Sequence, residues 1–131
     1  MDASEAPLKS SNDIVLARQM VRRAAQQIGL SLVDQTKIVT AASELARNTL
    51  TYGLGGVMTL EPLENGGRQG LRLSFIDQGP GIPDLQLALS DGWTSGNGLG
   101  MGLSGARRLV NDFSIESRVG EGTRVTIVRW K

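Results

Sequence analysis

Apolar residues recur along the first third of the chain at helical spacing. Ile14, Ala17, Val21, Ala24 and Ile28 fall three or four positions apart, Ser11 or Asn12 can cap that helix, and Gly29 can end it. Residues 1–10 are polar and fit either a short edge strand or a tail. Ser31 opens a second helix, with Asp34 three residues on in a capping-box arrangement, and Ile38, Ala42, Leu45 and Thr49 line one side of it. Gly53, Gly55 and Gly56 stop this helix. The period then changes to two. Val57 to Leu60 reads as a strand, Asn65-Gly66-Gly67 as a hairpin turn, and Leu71, Leu73 and Phe75 alternate on a returning strand that ends at Asp77. Pro83 precedes a short helical stretch from Asp84 to Leu89. Asp91 to Gly100, rich in glycine and small polar residues, reads as a mobile loop. Leu103 to Val110 fits a third main helix. Phe113 to Ser117 and Arg124 to Trp130 form two strands around a Gly120-Glu121-Gly122 turn.

The order is helix, helix, hairpin, loop, helix, hairpin, with no internal repeat and no linker. Antiparallel hairpins separated by helices predict an α/β two-layer sandwich, with the helices on one face of a mixed sheet. A length of 131 residues fits one domain, residues 1–131, able to bury a core without disulfide or metal staples.

Composition narrows the chemistry. There is no Cys and no His. That excludes disulfides, thiolate or imidazole zinc sites, Ser-His-Asp triads, Cys nucleophiles and a phosphohistidine relay within the chain. Carboxylates, amides, hydroxyls, Lys or Arg remain, together with a hard cation such as Mg²⁺ that prefers oxygen ligands. The net charge of +1 gives no reason to expect nucleic acid or an acidic membrane as partner. The short basic pairs Arg22-Arg23 and Arg107-Arg108 read as solvated helix faces. No apolar run approaches the roughly 18 residues of a membrane span, and the first residues lack a signal-peptide pattern, so a cytoplasmic location is expected.

Three segments carry candidate chemistry. On a helical wheel Glu44 and Asn48 lie about 40° apart, at the margin of the apolar arc, so both point to the edge of the core. The Asn48 carboxamide oxygen can be one of the few protein ligands to a nucleotide-bound Mg²⁺. Glu44, one turn earlier, can orient or deprotonate a hydroxyl attacking a γ-phosphate. The ordinary alternative is a Glu–Asn pair on a helix surface. Asp77, at a strand end before Gly79 and Gly81, can accept from an amino group such as adenine N6, or can close an Asx turn on its own backbone. Gly96, Gly98, Gly100 and Gly102 alternate ahead of a helix. Such a ladder is entropically costly to order and offers backbone N–H groups to phosphate; the alternative is a flexible loop.

Other nucleotide motifs do not fit. Gly100-Met101-Gly102-Leu103-Ser104-Gly105 matches G-x-G-x-x-G in letters but follows a glycine loop, not a strand. There is no Gly-Lys pair for a P-loop, and no His-Arg-Asp or Asp-Phe-Gly of the eukaryotic-type protein kinases.

Taken together, Glu44-x-x-x-Asn48, Asp77-x-Gly79-x-Gly81 and the Gly96–Gly102 ladder resemble the N, G1 and G2 boxes of the GHKL (Bergerat-fold) ATPase/kinase superfamily. Gly122-Thr123 resembles its late Gly-Thr element. The likeness spans roughly residues 10–131. Within the superfamily the chain most resembles the anti-sigma-factor serine/threonine kinases of the stressosome switch-kinase type. The stretches from Ala42 to Asn48, from Asp77 through Ile82 to Asp84, from Gly98 to Leu103, and from Val125 to Trp130 carry that narrower likeness.

The resemblance implies a Bergerat-type, largely antiparallel sheet, ATP and Mg²⁺ as cofactors, and a catalytic Glu44. It implies Asn48 as the metal ligand, Asp77 as the adenine anchor, and Gly79 and Gly81, with Ile82, at the pocket floor. Gly98, Leu99, Gly100, Met101, Gly102 and Leu103 would bound the phosphates under a lid from Asp91 to Gly98, and Thr123 would support Asp77. It implies a STAS-domain protein as substrate, and a PP2C-type phosphatase or a sigma factor as further partners. Two departures stand out. Thr94-Ser95 occupy the place where sporulation-type relatives carry an Arg that reaches the γ-phosphate, which leaves Arg47 as the available substitute. Ser104 stands where stressosome kinases often have Pro. The main rival reading is a nucleotide-dependent binding module with little catalysis; a detached histidine-kinase catalytic domain is a third.

Overall fold

The computed structural model of the chain describes residues 3–89 and 99–131. Five strands and four helices follow in the order β1 (Ser4–Leu8), α1 (Ser11–Gln27), α2 (Leu32–Thr51), β2 (Gly56–Asn65), β3 (Arg68–Asp77), α3 (Leu85–Leu89), α4 (Leu99–Arg108), β4 (Asp112–Arg118) and β5 (Gly122–Trp130). The sheet order is β1-β2-β3-β5-β4, and all four pairings are antiparallel. The mixed, largely antiparallel sheet expected from the hairpins is therefore antiparallel at every pairing, because β1 lies antiparallel on β2 and the chain returns from α4 to place β5 between β3 and β4. Residues 1–10, left open between strand and tail, supply the edge strand β1.

Helices α1, α2 and α4 pack together over one face of the sheet. Met58 and Leu60 on β2, Leu71, Leu73 and Phe75 on β3, and Val125 and Ile127 on β5 alternate onto that face and are buried. They meet Val21 of α1, Ile38, Ala42 and Leu45 of α2, and Leu103 and Ala106 of α4. No helix among the described residues is long and apolar enough to cross a membrane.

Helix ends follow local hydrogen-bonding chemistry. The cap of α1 is Ser10, ahead of the expected Ser11 or Asn12, because its hydroxyl accepts from the Asp13 N–H while the Asp13 carboxylate accepts from the Lys9 N–H. Ser31 caps α2 as expected, accepting from the Asp34 N–H at 3.1 Å. The third main helix begins at Leu99 rather than Leu103, so the expected loop ends before that point. Leu103 and Ala106 are both buried in the core and hold the glycine-bearing first turn in helical form.

The Asp34 carboxylate binds across the fold, on Arg129 of β5. Arg129 Nη2 donates to Asp34 Oδ1 at 2.6 Å and Nη1 to the Leu109 carbonyl at 3.3 Å, tying α2, β5 and the end of α4. The Arg129 hydrogen bond, opposed in part by desolvation, holds the Asp34 carboxyl below its ordinary value. A depressed carboxyl stabilises the fold above its unfolded-state pKa and loses that contribution as pH falls through the folded value. Asp34→Asn should therefore cost about 1 kcal/mol at pH 7, after allowance for partial exposure, and little under acid conditions. Thermal melts at the two pH values measure this difference.

Candidate functional site

Helix α2 supplies one wall of a cavity. Leu45, Asn48, Thr49 and Tyr52 recur at positions i, i+3, i+4 and i+7, and so share one arc of the helix. Phe75 and Asp77 of β3, Thr123 and Val125 of β5, Leu103 of α4 and the loop Pro80 to Asp84 complete a cavity of about 580 Å³. That volume lies in the range of roughly 300–1,000 Å³ typical of small-molecule sites. Most of the lining is apolar. Asn48, Asp77, Thr123 and Asp84 bring polar groups to it.

Asp77 closes the end of β3, where the register pairs it with Thr123 of β5. Two backbone N–H groups, of Gly79 at 2.9 Å and Thr123 at 3.2 Å, donate to the same oxygen, Oδ1. The first is the Asx-type bond of the sequence reading. It consumes one oxygen and leaves Oδ2 for another donor. Burial pushes the Asp77 carboxyl up from its ordinary value, against the pull of the two N–H donors. Gly53 allows this arrangement, because a Cβ there would lie 2.4 Å from Oδ2. The turn after Asp77 is equally constrained. Gly81 has φ +78°, and a Cβ on it would meet the Arg118 carbonyl oxygen at 2.3 Å, so the loop can lie against the β4–β5 turn only with glycine there.

Asn48 faces α4. Its Nδ2 is buried and has no hydrogen-bond partner among the described residues, so its amide carries unused capacity at the cavity wall. A Cβ on Gly102 would stand 2.7 Å from that nitrogen. The close approach of α4 to α2 thus depends on this member of the ladder. Gly102→Ala is expected to push the Asn48 amide off its position and weaken Mg²⁺-nucleotide binding about tenfold or more, with a smaller effect on folding. Calorimetric titration alongside a thermal melt would register both.

Glu44 lies one turn before Asn48 on α2 and outside the cavity lining. Its Oε1 accepts from Arg47 Nη1 at 3.1 Å; the two side chains are 37% and 57% exposed. No His, Cys, Asp or Glu cluster of three or more occurs among the described residues. A single amide oxygen with one nearby carboxylate fits a Mg²⁺ ion completed by phosphates and water, as opposed to a metal caged by protein.

The structure therefore brings Asn48, Asp77, Gly81, Ile82, Leu103 and Thr123 onto one cavity. Gly79 holds Asp77 from behind, and Gly102 packs on Asn48. Leu99, Gly100 and Met101 form the first turn of α4. Arg47 turns to Glu44 instead of the cavity. Gly98 and the expected lid from Asp91 to Gly98 lie outside the described residues, as do Gly96 and Asn97 of the ladder. Sequence reading missed Thr49 and Tyr52 as wall residues, although the helical period from Leu45 carries them. It also missed Gly53, read only as a helix stop.

This chain belongs to the histidine kinase-, DNA gyrase B- and HSP90-like ATPase family, whose model matches residues 33–131. The match takes in Glu44 and Asn48, Asp77, the glycine ladder and Gly122-Thr123. Among individual proteins, the chain is 45% identical over 118 residues to the serine/threonine-protein kinase RsbT of Bacillus subtilis, across 90% of this chain and 89% of that one. It is 26% identical over 129 residues to the anti-sigma F factor of a Thermoanaerobacter species, across 94% of this chain and 89% of the relative. A solved structure of the RsbU and RsbW domains of a Mycobacterium tuberculosis protein superimposes with a TM-score of 0.68 at 22% identity, over 100% of this chain. The chain spans about a third, 33%, of that solved chain. That likeness concerns the fold.

Proposed function

We propose that this protein is an ATP- and Mg²⁺-dependent serine/threonine kinase that phosphorylates a STAS-domain partner in a partner-switching pathway. The observation that carries the reading is the 45% identity to a serine/threonine-protein kinase over nearly the whole chain, with Glu44 one helical turn from Asn48 beside the cavity. Asp77 and Thr123 take the base. Asn48 would hold Mg²⁺ through its carboxamide oxygen, and the ion supplies charge neutralisation on the phosphates. Gly100 and Gly102 keep the start of α4 free of side chains near the phosphates. Glu44 accepts the proton of the substrate hydroxyl as its oxygen bonds the γ-phosphorus. The bond from that phosphorus to the β–γ bridging oxygen breaks, and ADP leaves.

The anti-sigma F factor relatives favour a second reading, in which bound nucleotide chiefly sets the conformation that grips a sigma factor or a PP2C-type phosphatase. One assay separates the two. The protein is incubated with γ-labelled ATP, Mg²⁺ and a purified STAS-domain protein. Label recovered as phosphoserine or phosphothreonine on that protein supports the kinase. ATP-dependent complex formation without label transfer supports the binding module.

A further inference from the structure

Arg47, next to Asn48 in the sequence, points away from the cavity that Asn48 lines. At 100° per residue, Arg47 lies about 60° to one side of Glu44 on α2 and Asn48 about 40° to the other. Asn48 faces α4. Arg47 stands on the solvent side, and its Nη1 donates to Glu44 Oε1 at 3.1 Å. The ion pair therefore draws the Glu44 carboxylate away from Asn48, and Glu44 is outside the cavity lining. Both side chains stay open to a macromolecule at the mouth, with Glu44 37% and Arg47 57% exposed. Glu44 Oε2 takes no part in the pair and is left to accept a proton.

Two acceptors can compete for the γ-phosphorus of a nucleotide held in this cavity. One is a water inside it; the other is a hydroxyl that a partner protein brings to the mouth. Either oxygen bonds the phosphorus as the bond to the β–γ bridging oxygen breaks, and either must lose its proton to a base. With water the products are ADP and inorganic phosphate. With a serine or threonine they are ADP and the phosphorylated partner. A carboxylate turned inward serves the water, whereas one held at the mouth serves the hydroxyl.

We infer that Arg47 is a positioning residue that acts through Glu44 and selects the acceptor, favouring a protein hydroxyl over water. The inference rests on the kinase reading and deepens it, because it assigns the residue that keeps the kinase from hydrolysing its own nucleotide. It also replaces the expectation that Arg47 reaches the γ-phosphate. An ordinary surface ion pair with no effect on chemistry is the competing explanation.

The test measures intrinsic ATP hydrolysis without a partner beside transfer of γ-label to a purified STAS-domain protein. It uses the full chain and four variants: Arg47→Ala, Arg47→Lys, Glu44→Gln and the double variant Arg47→Ala with Glu44→Gln. An exposed ion pair biases a side chain between two positions by up to about fivefold. Arg47→Ala should therefore raise hydrolysis by about fivefold without raising transfer, so the ratio of transfer to hydrolysis falls by about that factor. Arg47→Lys, which keeps a cation within i,i+3 reach of Glu44, should bring the ratio back toward wild type. In the Glu44→Gln background Arg47→Ala should change neither rate, because the effect passes through the carboxylate. An unchanged or higher ratio in Arg47→Ala would leave an ordinary surface pair and overturn the inference. Weaker binding of ATP but not of ADP, persisting in the Glu44→Gln background, would put Arg47 on the γ-phosphate and overturn it as well. Absence of label transfer by the wild-type chain would instead refute the kinase reading itself.

Discussion

Replacing Glu44 with alanine is expected to lower phosphotransfer by about 10²–10⁴-fold while leaving ATP affinity within about twofold. Glu44 lies outside the cavity lining, so its removal strips nothing from the walls that hold the nucleotide. Among the described residues its ion pair is with Arg47, and both partners are substantially exposed. Such a pair contributes little to stability, so the variant should melt near the wild-type temperature. It should also free the Arg47 guanidinium, which donates to Glu44. Single-turnover transfer of label to a STAS-domain protein, measured beside nucleotide titration, checks both halves of the expectation. Normal transfer by this variant would remove Glu44 from the chemistry and return the site to a binding role.

Asp77→Asn should separate binding from stability. The asparagine can still accept the Gly79 and Thr123 N–H groups through one oxygen, but it presents an amide nitrogen where Oδ2 stood. Two donors then face each other across the base, and ATP affinity should fall by about 10–100-fold. Stability in the absence of nucleotide should move the other way. Burial raises the folded-state pKa of Asp77, so the stability this group contributes is fullest below its unfolded value and is lost as pH rises through the folded one. At pH 7 the buried carboxylate therefore opposes folding, and the neutral amide does not. The variant should melt above the wild type at pH 7, and the difference should vanish as pH drops below about 4, where both side chains are uncharged. Differential scanning fluorimetry without nucleotide across that range would reveal the convergence. A variant that is less stable than the wild type at pH 7 would show that the two N–H donors outweigh desolvation.

The Asp77→Asn expectation places function and stability in tension at one end of the cavity. Asp77 is costly to bury charged, and Asn48 Nδ2 is buried without a partner among the described residues. A fold selected for stability alone would fill these positions with apolar side chains. The surrounding glycines carry the same sign. Gly53, Gly81 and Gly102 each stand where a methyl group would collide with Asp77, the β4–β5 turn or Asn48.

The local elements and the residue types of the site were legible from the sequence alone. The 3.6 and 2 periods marked α1, α2 and the β2–β3 hairpin, because one face of each must be apolar to reach the core. The same wheel set Glu44 and Asn48 at the margin of α2, where the structure leaves both partly buried. Short-range chemistry also carried the Ser31 cap and the turn after Asp77. The sheet order was not legible, since nothing local to β4 or β5 says that the later strand inserts beside β3. That insertion pairs Asp77 with Thr123 and Thr123 with Ser117, across separations of 46 and 6 residues. Nor could helical period alone show that α4 begins at Leu99, a start that depends on Leu103 and Ala106 finding the core. Sequence determined which groups the site has available, because residue type and period act over a few positions. Tertiary structure decided which oxygen of Asp77 is used and how close Gly102 comes to Asn48. Those follow from hydrogen bonds and contacts between segments that only the closed sheet and its helical layer bring together.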